Sequence, residues 1–153
     1  MMSDASGRSR RTIDVLLVED NPGDVRLIEE AFRDAGADSE LHAVTDGEEA
    51  LDFVYRRDDH ANAPRPDLVI LDWNLPRTSG EQVLMELKDD PEHKRIPVTV
   101  LTGSQDESDV LHSYRKHANA CLKKAVEPDE FLETIRAYAE FWFTTARLPN
   151  GDE

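Results

Sequence analysis

The sequence predicts an α/β fold: a doubly wound, five-stranded parallel sheet with five helices spread over both of its faces. Three observations carry that prediction. Short apolar runs of strand length alternate with segments of helical period along the whole chain. Strands separated by helical segments join in parallel through crossovers, and parallel sheets are covered on both faces. At 153 residues the chain is about one domain's worth, long enough to bury a real core and too short for a second domain of ordinary size.

Residues 1–11 are polar and basic and read as a flexible tail. Ile13–Val18 is the first strand, closed by Glu19 and Asp20. Asn21-Pro22-Gly23-Asp24 reads as a turn with a capping acid, after which Val25, Leu27, Ile28, Ala31, Phe32 and Ala35 recur at helical spacing until Gly36. A short strand follows near Glu40–Val44. Thr45-Asp46-Gly47-Glu48-Glu49 offers a cap and first-turn acids to a second helix carrying Ala50, Leu51, Phe53, Val54 and Tyr55. Residues 56–66, polar with two prolines, read as a loop. Pro66–Leu71 leads a third strand to Asp72 and the turn-rich stretch Trp73–Gly80.

Ser79 and Gly80 open a third helix with Val83, Leu84 and Leu87 inward, ending near Asp90-Pro91. Ile96–Leu101 reads as a fourth strand with Pro97 at its start, where a missing N–H does least harm. A fourth helix is expected from about Asp106 to His117, a brief fifth strand over Asn119–Lys123, and a last helix from about Pro128 to Arg147, stopped by Pro149 and Gly151. The expected domain spans residues 12–148, with a tail at 149–153.

Composition narrows the function classes. Thirty-three acidic residues against 18 basic ones give a net charge of −15, which repels nucleic-acid phosphate. Only five of the 18 are lysines, and an acid excess with Arg favoured over Lys is the surface expected of a protein from a salt-loving organism. No hydrophobic stretch approaches the roughly 20 residues of a membrane span, and the basic start lacks the apolar core of a signal peptide. A cytoplasmic location is the expectation. Cys121 is the single cysteine, which excludes an internal disulfide and a Cys-rich metal site.

In the flavodoxin-like strand order 2-1-3-4-5, strands one and three are neighbours and the crevice opens at their carboxyl ends. That order gathers Glu19, Asp20 and Asp72 at one point, where three carboxylates repel one another unless a cation or proton intervenes. Hard oxygen ligands select Mg²⁺, with Mn²⁺ as the other candidate, and leave room for a phosphoryl oxygen. Thr102, ending strand four, offers a hydroxyl to such an oxygen. Lys123 and Lys124, after strand five, offer an ammonium.

With these residues assembled, the chain resembles the response-regulator receiver domains of two-component signalling. Glu19-Asp20 matches the acidic pair, Asp72 with Pro76 and Gly80 the phosphoacceptor turn, and Thr102-Gly103 the switch threonine with its small neighbour. Asp72 precedes Thr102 by 30 residues and Lys124 by 52, the family's usual intervals. The resemblance covers about residues 12 to 147.

The resemblance implies that Asp72 takes a phosphoryl group from the phosphohistidine of a sensor histidine kinase. It implies a Mg²⁺ held by Asp20, Asp72, the main-chain carbonyl of Asn74 and, through water, Glu19. Lys124 then pairs with the phosphoryl group and Thr102 hydrogen-bonds it, biasing a two-state surface. The protein is thus expected to be a stand-alone phosphoacceptor switch, not an enzyme acting on free substrates. Two positions depart from the pattern: Ala125 follows the lysine where proline is usual, and Cys121 stands where the family carries an aromatic.

In the last helix Phe131, Ile135, Tyr138 and Trp142 form one apolar stripe, and Leu132, Ala139, Phe143 and Ala146 a second beside it. The second stripe suggests an exposed patch for a homodimer or partner. This extension resembles that of small receivers working with phytochrome-type kinases. Two other readings stand beside the leading one: an unphosphorylated adaptor of the same fold, and a small Mg²⁺-dependent phosphatase. The phosphatase requires a second aspartate two residues after the nucleophile, where this chain has Asn74.

Overall fold

The computed structural model describes residues 12–35, 38–103, 117–124 and 127–142. Five strands, β1 (Ile13–Val18), β2 (Ser39–Val44), β3 (Leu68–Asp72), β4 (Val98–Thr102) and β5 (Ala120–Lys123), form one parallel sheet in the order β2-β1-β3-β4-β5. Four helices are described: α1 (Pro22–Asp34), α2 (Gly47–Tyr55), α3 (Gly80–Asp89) and α4 (Pro128–Glu140). The helix expected over 106–117 falls almost wholly outside the described residues, as do the tails and the end of the last helix beyond 142.

Side-chain alternation along the strands sends successive residues to opposite faces, so the sheet carries two cores. Leu16, Val18, Val69, Leu71, Val98 and Val100 pack under α2 and α3 with Phe53, Val54, Val83, Leu84 and Leu87. Val15, Leu17, Leu68, Ile70 and Leu101 pack under α1 and α4 with Ile28, Phe32, Phe131, Ile135 and Tyr138. Every residue of β3 and β4 is buried, as central strands covered on both sides must be. The Tyr138 hydroxyl donates to Thr99 Oγ1 at 2.7 Å, tying α4 to β4 inside the second core. Burial there pushes the Tyr138 phenol up from its ordinary pKa.

Several expectations are adjusted. The cap of α1 is Asn21, whose Oδ1 accepts from the Asp24 N–H at 3.1 Å with Pro22 following in the first turn. Asp24 lies inside the helix, so its carboxylate is not the cap. The stretch 56–66 is not all loop: a single 3₁₀ turn occupies Asp58–His60. The expected second stripe of the last helix does not stand apart where it is described. Ala139 is fully buried and Leu132 packs on the α1/α4 core, because α4 lies against α1 as well as the sheet. Phe141 is the apolar side chain left exposed there, and Phe143, Ala146 and Leu148 lie outside the described residues.

Near the starts of β4 and β5 a lysine is held by neutral acceptors. Lys88, in the last turn of α3, donates to the carbonyls of Lys94 and Ile96 at 3.0 and 2.8 Å and to Asn119 Oδ1 at 3.2 Å. The same Asn119 oxygen accepts the Val98 N–H at 2.8 Å. Asp67, nearly buried, accepts the Asp14 N–H at 2.9 Å, and Asp14 in turn meets His42 Nε2 at 3.0 Å.

Candidate functional site

The carboxyl end of the sheet is the opposite case. β1 and β3 pair from Val15↔Leu68 to Val18↔Leu71, so the register continued one step sets Glu19 beside Asp72. Glu19 and Asp72 are buried, at 1% and 4% exposure, and Asp20 is exposed. Glu19, Asp20 and Asp72 each offer a carboxylate oxygen, all within 4.8 Å of one another. The structure thus brings these three carboxylates together at one point.

Lys124 enters this cluster from just past β5. Its main chain is fixed by the Lys124 N–H donating to the Thr102 carbonyl at 2.8 Å, next to the β4/β5 pair Thr102↔Lys123. Its ammonium lies 2.8 Å from Glu19 Oε1, 2.9 Å from Asp24 Oδ2 and 3.3 Å from Asp72 Oδ2. Lys124, not Lys123, is therefore the lysine at the site; Lys123 is exposed. Thr102 is 1% exposed at the end of β4, one step beyond Leu101, which pairs with Asp72.

The electrostatics follow from burial and from one cation shared by three acids. Desolvation raises the Glu19 carboxyl to a pKa of about 7, and the negative charge of Asp72 adds to the shift; the nearby Lys124 opposes both. Burial prevails because the ammonium is divided among Glu19, Asp24 and Asp72. Lys124 moves up from its ordinary value, since its close pairing with the Glu19 and Asp24 carboxylates and the charge of Asp72 outweigh its own desolvation. Glu19 Oε1 is at ion-pair distance from Lys124 and yet outside hydrogen-bond geometry, so it is a buried oxygen without a hydrogen-bond partner. A buried carboxylate oxygen left in that state beside two other acids fits a hard divalent cation or its water.

The loop after Asp72 is held at both ends by glycine. A Cβ at Gly80 would stand 2.5 Å from the Asp72 carbonyl oxygen and 2.9 Å from Trp73 Cα, so only glycine lets α3 start this close to the acid. A Cβ at Gly47 would run into the Thr78 carbonyl, so α2 meets the loop equally closely. Between these contacts, the Asn74 N–H donates to Asp72 Oδ1 at 3.1 Å and orients the carboxylate. Residue 74 brings no second acid to the site, which argues against the phosphatase reading.

One residue here was missed as a site residue. Asp24 joins from α1, and the only sequence signal was its place in the first helical turn beside the acidic pair. Cys121 is half-buried and packs against the α2/α3 core. Ala125 lies outside the described residues.

Residues 15–136 match the response regulator receiver domain family. The chain is 41% identical over 135 residues to the response regulator Rcp1 of Synechocystis, covering 88% of this chain and 92% of that protein. It is similar to the crystal structure of the phosphorylated cyanobacterial phytochrome response regulator RcpA, with 42% identity, a TM-score of 0.87, and 92% and 100% of the two chains covered. It is also similar to the Mn²⁺-bound form of Rcp1, with 40% identity, a TM-score of 0.87, and 90% and 99% covered.

Proposed function

The chain belongs to the response-regulator receiver family, whose members relay phosphoryl signals from histidine kinases, and on that premise we propose that Asp72 is its phosphoacceptor. The observation that carries this reading is the convergence of Glu19, Asp20 and Asp72 with the Lys124 ammonium 3.3 Å from Asp72 Oδ2.

Asp72 attacks the phosphorus of a kinase phosphohistidine; the P–N bond breaks, an acyl phosphate forms, and the imidazole leaves. Asp20, Asp72, the main-chain carbonyl of Asn74 and, through water, Glu19 would hold Mg²⁺. Bound there, Mg²⁺ offsets negative charge on the phosphoryl oxygens. Lys124 turns from the Asp72 carboxylate to a phosphoryl oxygen, and Thr102 donates its hydroxyl to another. Asn74 N–H, already on Asp72 Oδ1, keeps the attacking carboxylate aimed. The Mn²⁺-bound relative supports the choice of a hard divalent ion.

The phosphodonor is a phytochrome-type sensor kinase; support comes from the likeness to the phosphorylated phytochrome response regulator. Mg²⁺-dependent labelling by acetyl phosphate tests the acceptor. Labelling is expected in the wild type and lost in Asp72→Asn. Persistent labelling of the variant would sink the assignment, and an unlabelled wild type whose partner binding ignores Asp72→Asn would point to the adaptor.

A further inference from the structure

Asp24 is the fourth carboxylate of the site, and neither capping nor the acid cluster accounts for it. We infer that Asp24 is a positioning residue that competes with the phosphoryl group for the Lys124 ammonium, and so limits how tightly Asp72 retains a phosphoryl-like anion. This rests on reading Asp72 as the phosphoacceptor and Lys124 as its ion-pair partner.

The geometry carries the argument. Asn21 satisfies the helix cap, which leaves the Asp24 carboxylate free of that duty. It instead accepts a hydrogen bond from Lys124, 100 residues away, at 2.9 Å. The Lys124 hydrogen bond to Asp72 is longer, at 3.3 Å. The ammonium therefore sits nearer Glu19 and Asp24 than Asp72, and of those two only Asp24 takes a hydrogen bond from it. Lys124 and Asp24 side chains are 19% and 23% exposed, so solvent screens their attraction only in part.

An ammonium has three N–H donors, and three acids already surround it here. When a phosphoryl group replaces the carboxylate charge on Asp72, the ammonium must turn toward new oxygens. Asp24 is fixed in α1 and does not follow. Each increment of pairing with the phosphoryl group is then gained against the pull of Asp24, and a weaker pull leaves more of the ammonium for the anion.

The test titrates Mg²⁺-saturated protein with beryllofluoride, an acyl-phosphate mimic, following the fluorescence of Trp73 beside Asp72 and checking the heat of binding by calorimetry. Asp24→Asn keeps the side-chain shape and removes the charge. It is expected to tighten binding about fivefold, the upper size of one partly screened ion pair. Asp24→Glu is expected to restore wild-type affinity, which a merely structural role would not require.

In a Lys124→Met background the same Asp24→Asn change is expected to give less than about a twofold gain, or no binding in either protein, because the competition runs through the ammonium. An undiminished gain there would mean plain charge repulsion and overturn the inference, as would Asp24→Asn binding that is unchanged or weaker. If the wild type itself gives no response, the phosphoacceptor reading fails and takes this inference with it. If the wild type responds and Asp24→Asn matches it, this inference alone fails.

Discussion

Lys88 and Lys124 stand at opposite ends of the same sheet, each half-buried and each with its ammonium close to three oxygens. Two of the Lys88 acceptors are main-chain carbonyls and the third is an amide oxygen, all neutral. The oxygens around Lys124 belong to three carboxylates. Burial accordingly lowers the Lys88 pKa, whereas its acid partners raise that of Lys124. Similar burial thus gives two kinds of site. The surroundings of Lys88 are locally complete and serve the fold; the acids around Lys124 hold more negative charge than that lysine can match, and are ready for something more.

The largest expected effect separates the two lysines by activity. Lys124→Met should slow acetyl phosphate labelling by about 10²-fold, the size seen when one charge-stabilising donor is removed, while Lys88→Met labels at close to the wild-type rate. Equal slowing in both variants would break the contrast. Stability should then divide them the other way. Lys88→Met takes a donor from two carbonyls and from the Asn119 oxygen, which keeps the Val98 N–H, and is expected to cost about 2 kcal/mol in urea unfolding. Lys124→Met should cost less near neutral pH, because Glu19 can take up a proton once the ammonium is gone.

A smaller effect sharpens the picture of the carboxyl end. The folded pKa of Glu19, about 7, lies above its ordinary 4.5, so between those values the folded state binds more protons than the unfolded chain. Stability contributed by this group is full below pH 4.5 and declines as pH rises toward 7, by up to about 3 kcal/mol. Glu19→Gln should flatten that decline in pH-dependent unfolding. Added Mg²⁺, which requires the carboxylate, should stabilise the wild type more at pH 8 than at pH 5.5.

Much of this was legible in the sequence because it depends on local pattern. β1 and β3 are recognisable as apolar runs closed by acids, and the register of a parallel sheet then brings Glu19 and Asp72 together. The intervals from Asp72 to Thr102 and Lys124 marked the remaining strand ends. Asp24 was hidden because its role depends on a contact across 100 residues. A local reading also gave it the cap, which Asn21 takes since Pro22 fixes the first turn. Lys88 looked like any lysine near a helix end, and only the meeting of α3 with the starts of β4 and β5 reveals its acceptors. The width of the apolar surface on α4 was visible, but not that α1 would cover part of it.

Lys124 also acts as a resident stand-in. It already relieves part of the repulsion among the acids, so a divalent ion bound there would add to a charge balance that Lys124 has begun. The folded chain thus carries its own partial counter-charge at the acids, whatever else comes to join it.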